Sequence, residues 1–116
     1  MPTDVLFAGV ATADLASAMA WYRALLGRPP DIIVNDDEVM WKVRDGGWIY
    51  LVEDPSRAGH ALVAMAVPDL DQALAEIVAR GLSHAAIETV DGGRKAPVVD
   101  PEGNTIAFIE VPASDG

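Results

Sequence analysis

Apolar residues alternate with small or polar ones from Val5 to Thr12, and then the period changes. Behind Asp14, Leu15, Ala18, Tyr22, Leu25 and Leu26 recur three or four residues apart. Alternation marks a strand buried on one face, and the longer spacing marks an amphipathic helix. Asp14 is a natural N-cap, because a carboxylate there accepts from the exposed amides of the first turn. Gly27, ahead of Pro29 and Pro30, stops the helix. Shorter strand signals follow over Asp31–Val34, Val39–Val43 and Trp48–Val52, the last two joined by the turn signal Asp45-Gly46-Gly47. The same order then returns. His60–Val67 reads as a strand, Asp69 as a cap, and Leu70, Ala73, Leu74, Ile77 and Val78 as a helical stripe ended by Gly81. Ala85–Thr89, Ala96–Val99 and Thr105–Val111 read as strands. Pro97 cannot donate to a ladder, which directs its strand to an edge or a bulge.

The return is a repeat. Asp14-Leu15-x-x-Ala18 matches Asp69-Leu70-x-x-Ala73, 55 residues on, and Gly46-Gly47-Trp48-Ile49 is answered by Gly103-Asn104-Thr105-Ile106, 57 residues on. The chain therefore predicts one α+β domain, residues 1–116, built from two βαβββ modules over about 4–53 and 60–111 and joined by residues 54–59. One helix covers one face of a small mixed sheet and leaves the other bare, so the modules are expected to form a curved mixed sheet around a cleft. One parity of strand residues lines it. That parity gives Phe7, Trp48 and Tyr50 from the first module and His60, Leu62 and Ala107 from the second, with Leu6, Ala8 and Val10 on the buried side. A two-residue turn at Asp45 would set Trp41 opposite Tyr50 or Val52 and bring it and Val43 into the cleft; a deviation there would send Trp41 the other way. Such a lining suits a flat hydrophobic or cationic aromatic compound held by stacking. The competing reading is that these aromatics close the cleft as ordinary core, or bury themselves between two copies of the chain.

Composition narrows the function classes. Eighteen acidic against eight basic residues give a net charge of −10, which disfavours nucleic acid, whose phosphates need clustered Lys and Arg. With no cysteine, thiolate nucleophiles and Cys-held zinc are excluded. The longest apolar run, Ala61–Val67, is far short of the ~20 residues of a membrane span. No basic segment followed by an apolar run opens the sequence, so a cytoplasmic location is expected. Of the two histidines, His84 falls in a loop, and His60 is the one imidazole placed to reach the cleft as a general base or a hydrogen-bonding anchor. It is the single catalytic candidate. Ser17, Ser56 and Ser83 lie in no Gly-x-Ser-x-Gly turn.

Two βαβββ copies, with Trp21-Tyr22-x-x-Leu25-Leu26-Gly27 in the first and Asp100-Pro101-Glu102-Gly103-Asn104 before the last strand, resemble the vicinal oxygen chelate superfamily. This is the group of glyoxalases, extradiol dioxygenases, fosfomycin-resistance enzymes and bleomycin-resistance binding proteins. The resemblance runs from about Val5 to Val111. It implies a divalent-metal site with one ligand from the first and one from the last strand of each module, at the positions of Phe7, Tyr50, Leu62 and Ala107. Phe, Leu and Ala carry no donor atom, and a phenol binds metal only after losing a proton of pKa ~10. No metal and no other cofactor are therefore expected. The resemblance then implies a small-molecule binding protein of the bleomycin-resistance type, a homodimer as is usual in that group. The alternative it leaves is a lyase, isomerase or dioxygenase with an unusual metal site or none.

Overall fold

The computed structural model describes residues 1–111. The first module comprises β1 (Leu6–Thr12), α1 (Leu15–Leu26), β2 (Ile32–Asn35), β3 (Glu38–Arg44) and β4 (Gly47–Glu53). The second comprises β5 (Leu62–Ala66), α2 (Leu70–Ala79), β6 (Glu88–Val90), β7 (Gly93–Val99) and β8 (Thr105–Glu110). Each makes a four-stranded mixed sheet, ordered β1-β4-β3-β2 and β5-β8-β7-β6. β1 runs parallel to β4 and β5 to β8, and the other pairs are antiparallel. The α+β class, the two similar modules and the element order expected from the sequence are all present.

The helix ends follow from their caps. Asp14 accepts from the amides of Ala16 at 3.1 Å and Ser17 at 3.4 Å, and Asp69 accepts from that of Gln72 at 3.0 Å. Gly27 turns left-handed at φ 80° and donates to Arg23 O at 2.8 Å, a conformation that costs residues with a Cβ. A second device occurs in both modules: Glu53, at the end of β4, accepts from Leu15 N at 2.9 Å, and Glu110, at the end of β8, accepts from Leu70 N at 2.8 Å. Each carboxylate sits at the positive end of its helix and satisfies an amide that has no partner within the helix.

Pro97 departs from expectation, since β7 lies between β6 and β8. Pro97 sits beyond the first residue of β6, Glu88, which pairs with Lys95. Its carbonyl accepts from Ala85 N at 2.8 Å on the side away from β8, and its ring nitrogen faces that same side. The missing donor therefore removes no bond to β8, and the β6 strand shortens instead, starting at Glu88 where the sequence suggested Ala85.

Trp41 overturns the simple turn. Arg44 pairs with Gly47 across a two-residue turn, but Val43 is an extra residue, and from Lys42↔Trp48 onward the register is shifted by one. A β-bulge of this kind reverses which face the following residues present. Trp41 therefore opposes Ile49, not Tyr50, and lies completely buried beneath α1. Its indole N–H donates to Arg28 O at 3.0 Å, and its ring packs 6.4 Å from Tyr22. Val43 is only partly buried and packs against the same core.

Val10, Leu15, Tyr22, Leu25, Val39, Trp41 and Leu51 from the first module join Leu70, Leu74, Ile77, Ala96, Val98, Ile106 and Phe108 from the second in one hydrophobic cluster. The helix-covered faces of the two sheets thus meet each other. A polar network closes one end of this contact. Asp100 accepts from the Tyr22 hydroxyl at 2.8 Å, the Asn104 side-chain amide at 2.9 Å and the backbone amides of Glu102 and Asn104 at 2.9 Å. Asn104 also donates to Ala11 O at 3.1 Å and accepts from Ala61 N at 2.9 Å. Glu102 takes the Thr12 hydroxyl at 2.5 Å and Ala13 N at 3.1 Å. Burial, and then the hydrogen bond to the Asp100 carboxylate, push the Tyr22 phenol far above its ordinary pKa and keep it a neutral donor.

Candidate functional site

With the helix-covered faces joined, the opposite faces of the two sheets are left open. On the first, β1 and β4 set Phe7 beside Trp48 and Gly9 beside Tyr50. The Phe7 and Trp48 rings stack with centroids 6.4 Å apart and planes 25° from parallel. The hydroxyl end of the Tyr50 ring lies over Gly9, where an added Cβ would come within 2.4 Å of its Cζ. Glycine is required there because the phenol occupies the space that a side chain would take. The result is an aromatic platform of Phe7, Trp48 and Tyr50 carrying one hydroxyl. Phe7 is about half exposed.

On the second open face, β5 and β8 place Leu62 beside Thr105 and Ala64 beside Ala107. Leu62 is 86% exposed, the highest value for a large apolar side chain within any strand or helix of the described residues. His60 stands exposed just ahead of β5. Phe7, Trp48 and Tyr50 thus form one group, Leu62 and Ala107 share the other face, and Trp41 belongs to the core. The bulge at Val43 was the missing signal for Trp41, and nothing in the local residue pattern announces it.

A cavity of about 460 Å³ lies on the opposite parity, between the modules. Leu6 and Ala8 of β1, Val63 and Met65 of β5, Ile77 of α2 and Phe108 of β8 border it. The sequence placed Leu6 and Ala8 beneath the first helix, but Leu6 is 68% exposed and of the three only Val10 is buried there. Residues at the C-terminal end of α1 and of α2 also line the cavity, and β1 and β5 flank it as free edges of their sheets. Of the residues named above for the cleft, Trp48 and Val43 border this space.

The four positions implied for a chelating site, Phe7, Tyr50, Leu62 and Ala107, do lie on open faces, two on each sheet. Their side chains do not fit a divalent ion, offering one phenol oxygen among them. Among the described residues, no group of three or more His, Asp or Glu side chains converges. No helix of the described residues is long and apolar enough to cross a membrane.

Neither a family model nor a curated protein sequence matches the chain. Solved structures do. A glyoxalase/bleomycin resistance protein from Catenulispora acidiphila is 45% identical, with 93% of this chain and 98% of that one covered and a TM-score of 0.88. A bleomycin-binding protein complexed with bleomycin shares 20% identity over 95% of this chain and 100% of that one, with a TM-score of 0.77. A bleomycin resistance determinant encoded on the transposon Tn5 shares 19% over 96% and 100%, with a TM-score of 0.76. The last two likenesses establish the fold.

Proposed function

The chain belongs to the glyoxalase/bleomycin resistance family of the vicinal oxygen chelate superfamily, and from that premise we propose that it is a non-catalytic binder of a small hydrophobic or cationic aromatic compound. The observation that carries this reading is the platform of Phe7, Trp48 and Tyr50 at and beside positions where chelating side chains are implied. A ring laid on such a platform gains roughly 0.5–1.5 kcal/mol per aromatic partner beyond its buried area. A cation over Trp48 gains about 0.5–2 kcal/mol, and the net charge of −10 speeds its approach.

The protein acts, on this reading, as a cytoplasmic homodimer. Support comes from the exposed Leu6, Phe7 and Leu62 and from β1 and β5, whose outer edges are free. A platform open on one side buries a ligand poorly, whereas binding sites enclose most of a guest's surface. The aromatic face of one copy set against the Leu62–Ala107 face of another supplies that cover. No metal enters the proposal, and His60, exposed ahead of β5, is given no catalytic role.

Titration of tryptophan fluorescence with planar cationic aromatics, bleomycin among them, tests the reading. Saturable quenching that Trp48→Ala abolishes is expected, with the compound recovered unchanged. Turnover of the compound, or stoichiometric metal in the purified protein together with metal-dependent activity, would overturn it.

A further inference from the structure

The two modules share the Glu53 and Glu110 caps, but they do not share the network at the module interface. Stepping back by the repeat offsets takes Asp100, Glu102 and Asn104 to Val43, Asp45 and Gly47, and stepping forward takes Thr12, Ala13 and Tyr22 to Val67, Pro68 and Ile77. Val43, Val67 and Ile77 have no polar side-chain atom, Pro68 has no amide proton and Gly47 has no side chain. Where the first set stands, the interface is bonded shut; where the second stands, Val43, Gly47, Val67 and Ile77 line the cavity of about 460 Å³. The module contact therefore has one end held by a network of several side chains and one end, at the cavity, bridged by Arg80, whose guanidinium donates to Ala24 O and, at 3.0 Å, to Leu25 O.

We propose that the Asp100–Asn104 turn is the positioning element of the module pair, fixing the angle at which the two open faces stand through Tyr22, Thr12 and Ala13. The geometry favours this role over simple turn stability. Asp100 and Asn104 also bond within their own hairpin, but Tyr22, Thr12, Ala13 and Ala11 all belong to the other module. Every one of those bonds spans the interface. Tyr22 and Glu102 are positioning residues in this account, since neither lies on an open face. The inference rests on the ligand reading only for its consequence, that the two faces are held in register to receive a guest.

The distribution of chromophores makes it testable without a ligand. Trp21, Trp41, Trp48, Tyr22 and Tyr50 all belong to the first module, and these are all the tryptophans and tyrosines of the chain. Aromatic fluorescence thus follows the first module alone, whereas far-ultraviolet circular dichroism follows both. In urea, the unmodified protein should give coincident transitions by the two probes, the signature of one cooperative unit. The Tyr22→Phe/Glu102→Ala double variant should split them by about 1 M urea or more. Arg94→Ala, which removes ion pairs to Asp71 and Glu110 inside the second module, should leave them coincident. Tyr22→Phe alone should give a smaller split in the same sense, and it serves if the double variant does not fold. Transitions that stay coincident in folded lock variants would overturn the proposal, as would transitions already separate in the unmodified protein. Failure of drug titration, by contrast, would overturn the ligand reading and leave this one standing.

Discussion

Replacing Trp41 by Phe separates a core residue from a cleft residue by the size of its effect. The indole is completely buried, donates to Arg28 O at 3.0 Å and packs beside Tyr22. Losing the hydrogen bond costs about 1 kcal/mol, because Arg28 is exposed and water can satisfy part of its carbonyl. The smaller ring leaves roughly 40 Å³ unfilled, which at ~24 cal/mol per Å³ adds about 1 kcal/mol. The lost transfer of the pyrrole portion brings the sum to about 2–3 kcal/mol. For a domain near this length that is a fall in Tm of about 10 °C. Scanning calorimetry at one fixed protein concentration, with Trp48→Phe as the partly exposed comparison, is the assay, since association also shifts Tm. Trp48→Phe should lower Tm by no more than ~3 °C. If Trp41→Phe left Tm within that margin yet weakened ligand binding, Trp41 would be a cleft residue and the one-residue shift at Val43 would be wrong.

Three further outcomes are expected. Leu62→Asp should leave the fold of one chain intact, since Leu62 is 86% exposed, and should convert a dimer to monomer in sedimentation equilibrium. Gly9→Ala should displace the Tyr50 ring, against which the new methyl would stand at 2.4 Å; a changed near-ultraviolet circular dichroism spectrum with an unchanged far-ultraviolet one would report it. Tyr22, raised above its unfolded pKa of 10.0, is held neutral by the fold, so its contribution is complete below pH 10 and is lost as pH rises further. Urea midpoints should therefore fall above about pH 10, and Tyr22→Phe should flatten that slope; an equally steep slope in the variant counts against the buried phenol.

The element order was readable because its signals are local. Asp14 and Asp69 cap, Gly27 breaks, and both helical stripes bury the face that their spacing marks, apart from Val78, which stays exposed at the end of α2. The platform was readable for a similar reason: Phe7, Trp48 and Tyr50 sit on two strands whose parity survives in the fold. Trp41 was not, because the reversal of its strand depends on one unpaired residue at Val43 that no composition rule singles out. Leu6 and Ala8 escaped because parity assigns a face without saying whether the helix reaches that far along the strand. The role of Asp100–Asn104 was hidden by distance, as the Glu102 carboxylate meets Thr12 across 90 residues of chain. The sequence shows a turn there, and its partners appear only once two modules are folded against each other.

The bonds from that turn have a consequence for the connector, residues 54–59, whose middle, Pro55 to Arg57, is exposed. They tie together two pieces that the backbone already ties, so the peptide link between them is redundant. A protease nick in the connector should leave a complex of two fragments that co-elute and melt as one body, and halves produced as separate polypeptides should find each other in solution.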